Sequence, residues 1–430
     1  KKIFRYIHRL SFTKEGLPLR IDLSRVKTNK QSRGRLLSAN DIKSSGLFKN
    51  DELFEIEIEV IDHTDPNLLN KIKSSIKLVL SALQQTNYPV SYPEQNQVYK
   101  DYLDLIGIND KQINPRYFIG PSSLTLQYDN LSPDNPINIL KDYTVTDKAD
   151  GMRKLLYIHH SKKIYFINTN MRIEFTGSIV KTDTFINTIL DGEHILHNKE
   201  GRYINLFAVF DIYILDNKNV RNKVFINEET TLKENMRLYL LMNLIKKIEI
   251  TKLGGGDATF AIRHKKFYST TDEVSIFDAC KQVFDNVYDY NTDGLIFTPK
   301  LLPVGSNDGK TEAKMQKTTW EYSFKWKPPE YNTNDFLVST KKDKQGKDII
   351  SYKFDSGTNM EKNNLYQFKQ LILRVGYNQS IHGYLNPCQR MLDEEWGHSR
   401  EKAEYRPVPF YPTEPYDNKA HLCEIQMEQN

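Results

Sequence analysis

The stretch TDKADGMRK, residues 146–154, crowds Lys148, Asp150, Arg153 and Lys154 together and then runs straight into the apolar LLYI. Charged side chains are ordinarily solvated, so a charge cluster at the mouth of a buried strand narrows what this part of the chain can become. One reading is a charged turn that enters a hairpin, KLLYIHHSKKIYFINTN, with HSKK as its loop. The other is that Lys148 is a nucleophile and its charged neighbours hold a phosphate-bearing substrate.

The flanking sequence predicts an α+β protein of several domains, and 430 residues are enough for two or three cores. Residues 1–62 alternate as antiparallel strands (FRYIHRLSF, PLRIDLSRVKT, LFEIEIEV). From residue 63 to 115 the period changes: Leu68, Leu69, Ile72, Ile76, Leu80 and Leu83 fall at helical spacing, and a shorter helix is expected at PEQNQVYKDYLDLIG. Residues 116–330 mix strand-like runs with a few helices, one of them expected across NEETTLKENMRLYLLMNLIKKI. Residues 331–430 read as short strands that suit a small β-barrel. A net charge of +5 permits a nucleic-acid partner without arguing for one, and three distant cysteines support neither a disulfide framework nor a zinc site. No apolar run approaches the roughly 20 residues of a membrane span, so no membrane partner is expected.

Four local patterns compete for chemistry. FEIEIEV sets Phe54, Ile56, Ile58 and Val60 on one strand face and Glu55, Glu57 and Glu59 on the other. Carboxylates about 7 Å apart on one face repel unless a cation intervenes, which makes Mg²⁺ or Mn²⁺ a candidate and a plain wet face the alternative. His194 and His197 in DGEHILH are i and i+3 in a strand, so they face opposite ways and cannot share an ion. GSNDGKT fails as a phosphate loop because Val304 stands where the first glycine is required. Lys148-Ala-Asp150-Gly151-Met152-Arg153 would arise by chance in on the order of one chain in a hundred. Four further runs follow it in order: LDGE (190–193), VFDI (209–212), DGLIF (293–297) and KWKP (325–328).

Together these five runs resemble the covalent nucleotidyltransferase superfamily of mRNA-capping guanylyltransferases and polynucleotide ligases. The upstream glutamate strand, LRIDLS, FIGPSSLTL and YRPVPFYPTEPYDNKAHLCEI look like the multifunctional capping enzymes of large DNA viruses of the poxvirus, asfarvirus and mimivirus kind. The resemblance implies strands of a triphosphate-tunnel RNA triphosphatase over 1–62, a helical connector, a guanylyltransferase domain over 116–330 and a C-terminal OB-fold, incomplete here. It further implies that Lys148 takes GMP from GTP and passes it to a 5′-diphosphate RNA end, with Mg²⁺ or Mn²⁺ assisting. Lys325 and Lys327 would contact the α-phosphate, Arg153 and Glu193 the ribose, and Phe210 the guanine face. Asp293, joined by Asp211, would hold the metal, and Arg172 is a further phosphate candidate. A methyltransferase domain or subunit would be a further partner, and the location would be intracellular: host cytoplasm or virion. An ATP-using polynucleotide ligase would share all five runs, and a non-catalytic RNA-binding platform is the third reading.

A free lysine, pKa about 10.4, is neutral in only about one molecule in 2,500 at pH 7. The expectation is therefore that Arg153, Lys325 and Lys327 supply the positive field that frees the Lys148 amine. The family's sixth motif, Arg-x-Asp-Lys, is not found in this sequence. The early strand that would give the triphosphatase its second glutamate pair is not found either.

Overall fold

In a computed structural model the protein forms two compact units, Lys1–Pro328 and Pro329–Asn430. The structure describes residues 2–32, 35–110, 112–229, 231–331, 333, 335–354, 365–377, 406–411 and 417–427. No helix among them is long and apolar enough to cross a membrane.

The first strands, Arg5–Thr13, Leu19–Thr28 and Leu53–Val60, make a three-stranded antiparallel sheet. Register places Arg20 opposite Glu59, Asp22 opposite Glu57 and Ser24 opposite Glu55, with Arg9 opposite Ser24. The expected alternation is present, but the glutamates have other partners than a divalent ion. Arg5 pairs with Glu55, Arg9 with Glu57 at 2.8 Å, and Arg20 with Glu59. The cations that relieve the carboxylate repulsion are cross-strand guanidiniums, and among the described residues Glu55, Glu57 and Glu59 form no metal-holding group. The apolar face is open among the described residues, with Leu10, Phe12 and Phe54 exposed.

The expected helices form at Leu68–Gln84 and Tyr92–Leu105, the second capped by Ser91, whose hydroxyl accepts from the Glu94 amide. The third is shorter than expected: only Arg237–Lys247 is helical, after a turn of 3-10 helix at Lys233–Asn235. Met236 between them is extended, and the Arg237 guanidinium is drawn inward to Asp211, which fixes where the helix starts.

Two sheets carry the rest of this unit. The larger has eight strands and includes the hairpin Met152–Ile158 and Lys163–Asn168, then Thr188–His197 and Tyr203–Leu215. Period-2 alternation divides its core. Leu155, Tyr157, Tyr165 and Ile167 pack with Val98 and Tyr102 of one helix, while Leu156, Ile158, Ile164 and Phe166 pack with Leu241 and Leu244 of another. The smaller sheet has five strands, including Tyr143–Ala149, Thr292–Pro299 and Thr319–Trp326. Val145, Leu295, Phe297 and Phe324 bury against the helix Ile276–Asp285. Their alternate neighbours, Thr146, Lys148, Ile296, Ser323 and Lys325, face a pocket. The second unit holds a five-stranded sheet in which Leu365–Tyr377 pairs with four other strands.

Candidate active site

The charge cluster of the opening motif lies at the seam of the two sheets. Lys148 is the next-to-last residue of the strand Tyr143–Ala149 in the smaller sheet, Asp150 and Gly151 turn the chain, and Arg153 is the second residue of Met152–Ile158 in the larger. The hairpin of the plainer reading does form, from Met152–Ile158 and Lys163–Asn168. A cavity of about 270 Å³ fills the seam, lined by Lys148, Arg153, Glu193, Phe210 and Lys325 among others.

Two irregularities aim the side chains. Register slips between Thr292 and Leu295, so Asp293 and Gly294 bulge out of the ladder. Gly294 has φ +151°, and a Cβ there would lie 2.0 Å from the Trp326 carbonyl oxygen, so no other residue fits. A second slip, between Asp191/Asp211 and Gly192/Val209, leaves Phe210 outside the paired ladder and on the pocket wall.

Asp293 ties two of the expected residues together. Its oxygens accept from the Lys148 amine at 2.7 Å and the Lys327 amine at 2.6 Å. Burial disfavours its charge, but the two donated hydrogen bonds hold the carboxyl below the usual range. The nearest charge to Lys148 is therefore negative. Arg153, expected to crowd Lys148, instead gives its fork to Asp191, at 3.1 and 2.6 Å, and donates to the Pro121 carbonyl at 2.8 Å. Burial opposes the guanidinium charge, yet Asp191 outweighs it and the arginine is held above its ordinary value. Its guanidinium carbon also sits 5.5 Å from the Phe210 ring centre. Lys325 lines the pocket from the face opposite Phe324 and Trp326.

Two expected residues are placed elsewhere. Asp211 touches the pocket wall, but both its oxygens accept from fully buried Arg237, at 2.9 and 3.2 Å. It is the buried half of an ion pair with Arg237. Arg172 reaches the Gln84 carbonyl and lies 3.9 Å from Glu174, in a groove away from Lys148. His194 is buried against Asn205 while His197 is exposed, as the strand period requires.

Sequence reasoning missed three supports. Asp191 is fully buried and also accepts from the Tyr213 hydroxyl at 2.6 Å. It stands two residues before Glu193, so strand period alone puts both on one face. Lys265 lines the pocket, pairs with Asp147 at 2.9 Å, and donates its backbone N–H to the carbonyl of Val209, the residue before Phe210. Asp147 in turn accepts from the Tyr290 hydroxyl at 3.2 Å.

Glu193 carries a pH signature. Burial pushes its carboxyl up from 4.5 to about 7, against the pull of Lys265 and Arg153. Between those values the folded chain keeps a proton that the unfolded chain has lost, so stability falls as pH rises through the window. A displacement of that size is worth on the order of 3 kcal/mol. Glu193→Gln imitates the protonated form and should be the more stable protein at pH 8, with no advantage at pH 4, in urea titrations. Equal urea midpoints for the two proteins at pH 8 would contradict a buried charge at this position.

The family profile described as the mRNA capping enzyme catalytic domain matches residues 89–329. The chain is 26% identical over 422 residues to a probable mRNA-capping enzyme of Acanthamoeba polyphaga mimivirus, covering 88% of this chain and 32% of that protein. It is 26% identical to an mRNA-capping enzyme of Caenorhabditis elegans over 50% of this chain and 33% of the relative. An mRNA-capping enzyme of Danio rerio is 24% identical over 46% of this chain and 31% of its own length. The chain thus spans about a third of the length of each of these relatives.

Proposed function

This chain belongs to the mRNA capping enzyme catalytic-domain family, and from that premise we propose that it is an mRNA guanylyltransferase acting through a covalent lysyl-GMP at Lys148. The single observation that carries the reading is the convergence of Lys148, Arg153, Glu193, Phe210, Asp293 and Lys327 on one seam from five separate runs of sequence.

In the first step the Lys148 amine attacks the α-phosphorus of GTP. A P–N bond forms, the α–β P–O bond breaks, and pyrophosphate leaves as the amine gives up its proton. In the second step the terminal phosphate oxygen of a 5′-diphosphate RNA attacks the same phosphorus, the P–N bond breaks, and the 5′–5′ cap is released. Phosphoryl chemistry of this kind depends on positioning and on neutralising oxygen charge. Lys325 and Lys327 are the cations for the α-phosphate, Arg153 and Glu193 the ribose contacts, and Phe210 the stacking face for the base. Lys265, whose side-chain ammonium lines the same pocket as Phe210, supplies a donor that suits the O6 acceptor of guanine and opposes the N6 amino group of adenine.

A divalent Mg²⁺ or Mn²⁺, which takes one or two carboxylates plus substrate phosphates, would screen the phosphate oxygens. Asp293 fits that donor set, because it is partly exposed and its two partners are lysine amines that the substrate phosphates would draw away. Asp211 does not, because Arg237 occupies both its oxygens. Lys148 must leave Asp293 to attack, and the phosphates give Lys327 a replacement partner as it does so.

The five-stranded second unit supports an OB-type barrel, and the arginine- and glutamate-lined N-terminal sheet supports a remnant of a triphosphatase tunnel. An intracellular protein that meets RNA and GTP fits this reading. The test is a chase. Labelled enzyme–GMP should transfer its label to 5′-diphosphate RNA in a form that resists phosphatase, as a cap does. Activation and joining of 5′-monophosphate RNA would assign the chain to the ligases instead.

A further inference from the structure

Away from the nucleotide pocket, the turn of the Met152–Ile158/Lys163–Asn168 hairpin brings two consecutive histidines against the helix Tyr92–Leu105. Neighbouring residues of a strand point to opposite faces. Here the strand ends at Ile158 and the chain turns, and the His159 and His160 rings lie 3.9 Å apart. Asp101, on the helix, completes the group: one ligand atom from each of the three residues lies within 4.8 Å of the others.

Hydrogen bonds hold two of the three side chains in place. His159 is buried, with Nε2 2.8 Å from Asp101 Oδ2 and Nδ1 2.7 Å from the Ser161 hydroxyl. The other carboxylate oxygen of Asp101 accepts from the Gln97 side chain at 2.8 Å. Such outer partners orient ligating imidazoles and carboxylates. His160 is exposed and lines a cavity of about 240 Å³ with Asp101, Asp104 and Asn187, which leaves room for a water or a further oxygen ligand.

We propose that Asp101, His159 and His160 form a transition-metal site of the zinc class that clips the helix Tyr92–Leu105 to the hairpin following the Lys148 motif. Zinc bonds of about 2.0–2.2 Å in a tetrahedron hold two ligand atoms about 3.3 Å apart. The His159–Asp101 pair therefore opens by only about half an ångström to admit the ion between its atoms. The proton on Nε2 moves to Nδ1, where the Ser161 hydroxyl, which can donate or accept, turns to accept it and the Ser161 backbone N–H, 3.2 Å from Nδ1, gives up that acceptor. Imidazole nitrogen with one carboxylate selects zinc and its neighbours over magnesium, so this site is chemically distinct from the carboxylate at Asp293.

The test uses Zn²⁺ itself, titrated into chelator-stripped protein against a chromophoric zinc indicator, with Mg²⁺ in large excess throughout. The expected result is one Zn²⁺ per chain resistant to Mg²⁺, weakened about ten-fold or more in both His160→Ala and Asp101→Asn. The circular dichroism of His160→Ala should be unchanged, since His160 is exposed. The proposal is overturned if His160→Ala binds zinc as tightly as the parent, which would place the ion on other donors such as thiols, or if Mg²⁺ displaces it.

Discussion

Removing the Asp211 carboxylate will destabilise the Lys1–Pro328 unit by about 3–5 kcal/mol, the cost of leaving a buried ionic partner uncompensated. Arg237 is fully buried, and beyond Asp211 its guanidinium reaches neutral groups: the carbonyls of Lys223 and Leu302 and the face of Phe225, 5.4 Å from the ring centre. In Asp211→Ala the cation stays inside without its counter-charge. Burial already pushes the Asp211 carboxyl up, with Arg237 offsetting only part of the rise, which marks the site as poor for either charge alone. Replacing both partners with apolar residues, Asp211→Ala with Arg237→Leu, should recover much of the loss, because the pair is then absent rather than broken. Urea denaturation of the three variants decides the matter. A single-variant loss below about 1 kcal/mol, together with a stability that falls when divalent ions are chelated, would return Asp211 to the role of metal ligand.

Asp191→Ala will slow enzyme–GMP formation by about a hundred-fold or more, although Asp191 itself lies behind Arg153. The carboxylate takes two hydrogen bonds from Arg153 and one from Tyr213, and so fixes the guanidinium over the Phe210 wall of the pocket. A freed arginine samples many rotamers, and a displacement of about 1 Å in a positioning group costs about a hundred-fold in rate. Arg153→Lys should not substitute for the lost fork, because an ammonium cannot make the paired contact. The Arg153 side chain keeps 27% of its surface exposed, so it can rehydrate and the fold should survive. Single-turnover labelling with α-labelled GTP reads the effect, and a parent-like rate in Asp191→Ala would remove Arg153 from the machinery.

The sequence carried the residues that meet at the seam, because strand alternation and motif order are local properties. Thr146 and Lys148 face the pocket while Val145 faces the core, as the period requires. The partners of those residues were hidden, because pairing across the fold is not local. Asp211 adjoins Phe210 and so read as a pocket residue, yet its partner Arg237 enters from a helix 26 positions later. The glutamates of FEIEIEV read as a cation site, and in the structure each is paired with an arginine, Arg5, Arg9 or Arg20, from another strand of the same sheet. Arg172 precedes a strand of the larger sheet and is taken up by Gln84 at the end of a helix, a contact with no counterpart in local sequence. The positive field expected around Lys148 rests on Arg153, Lys325 and Lys327, of which Lys327 shares Asp293 with Lys148 and Lys325 lines the pocket. Strand pairing instead sends that arginine to Asp191 and gives Lys148 an acid.

The central claim is a covalent bond between Lys148 and GMP, and the most direct measurement is incubation with α-³²P-GTP or α-³²P-ATP and Mg²⁺, followed by denaturing electrophoresis and peptide mapping. The account predicts label from GTP and not ATP, retained through denaturation, released by acid as a phosphoamide is, mapped to Lys148 and absent from Lys148→Ala. Label taken in preference from ATP, or label that persists in Lys148→Ala, would contradict it.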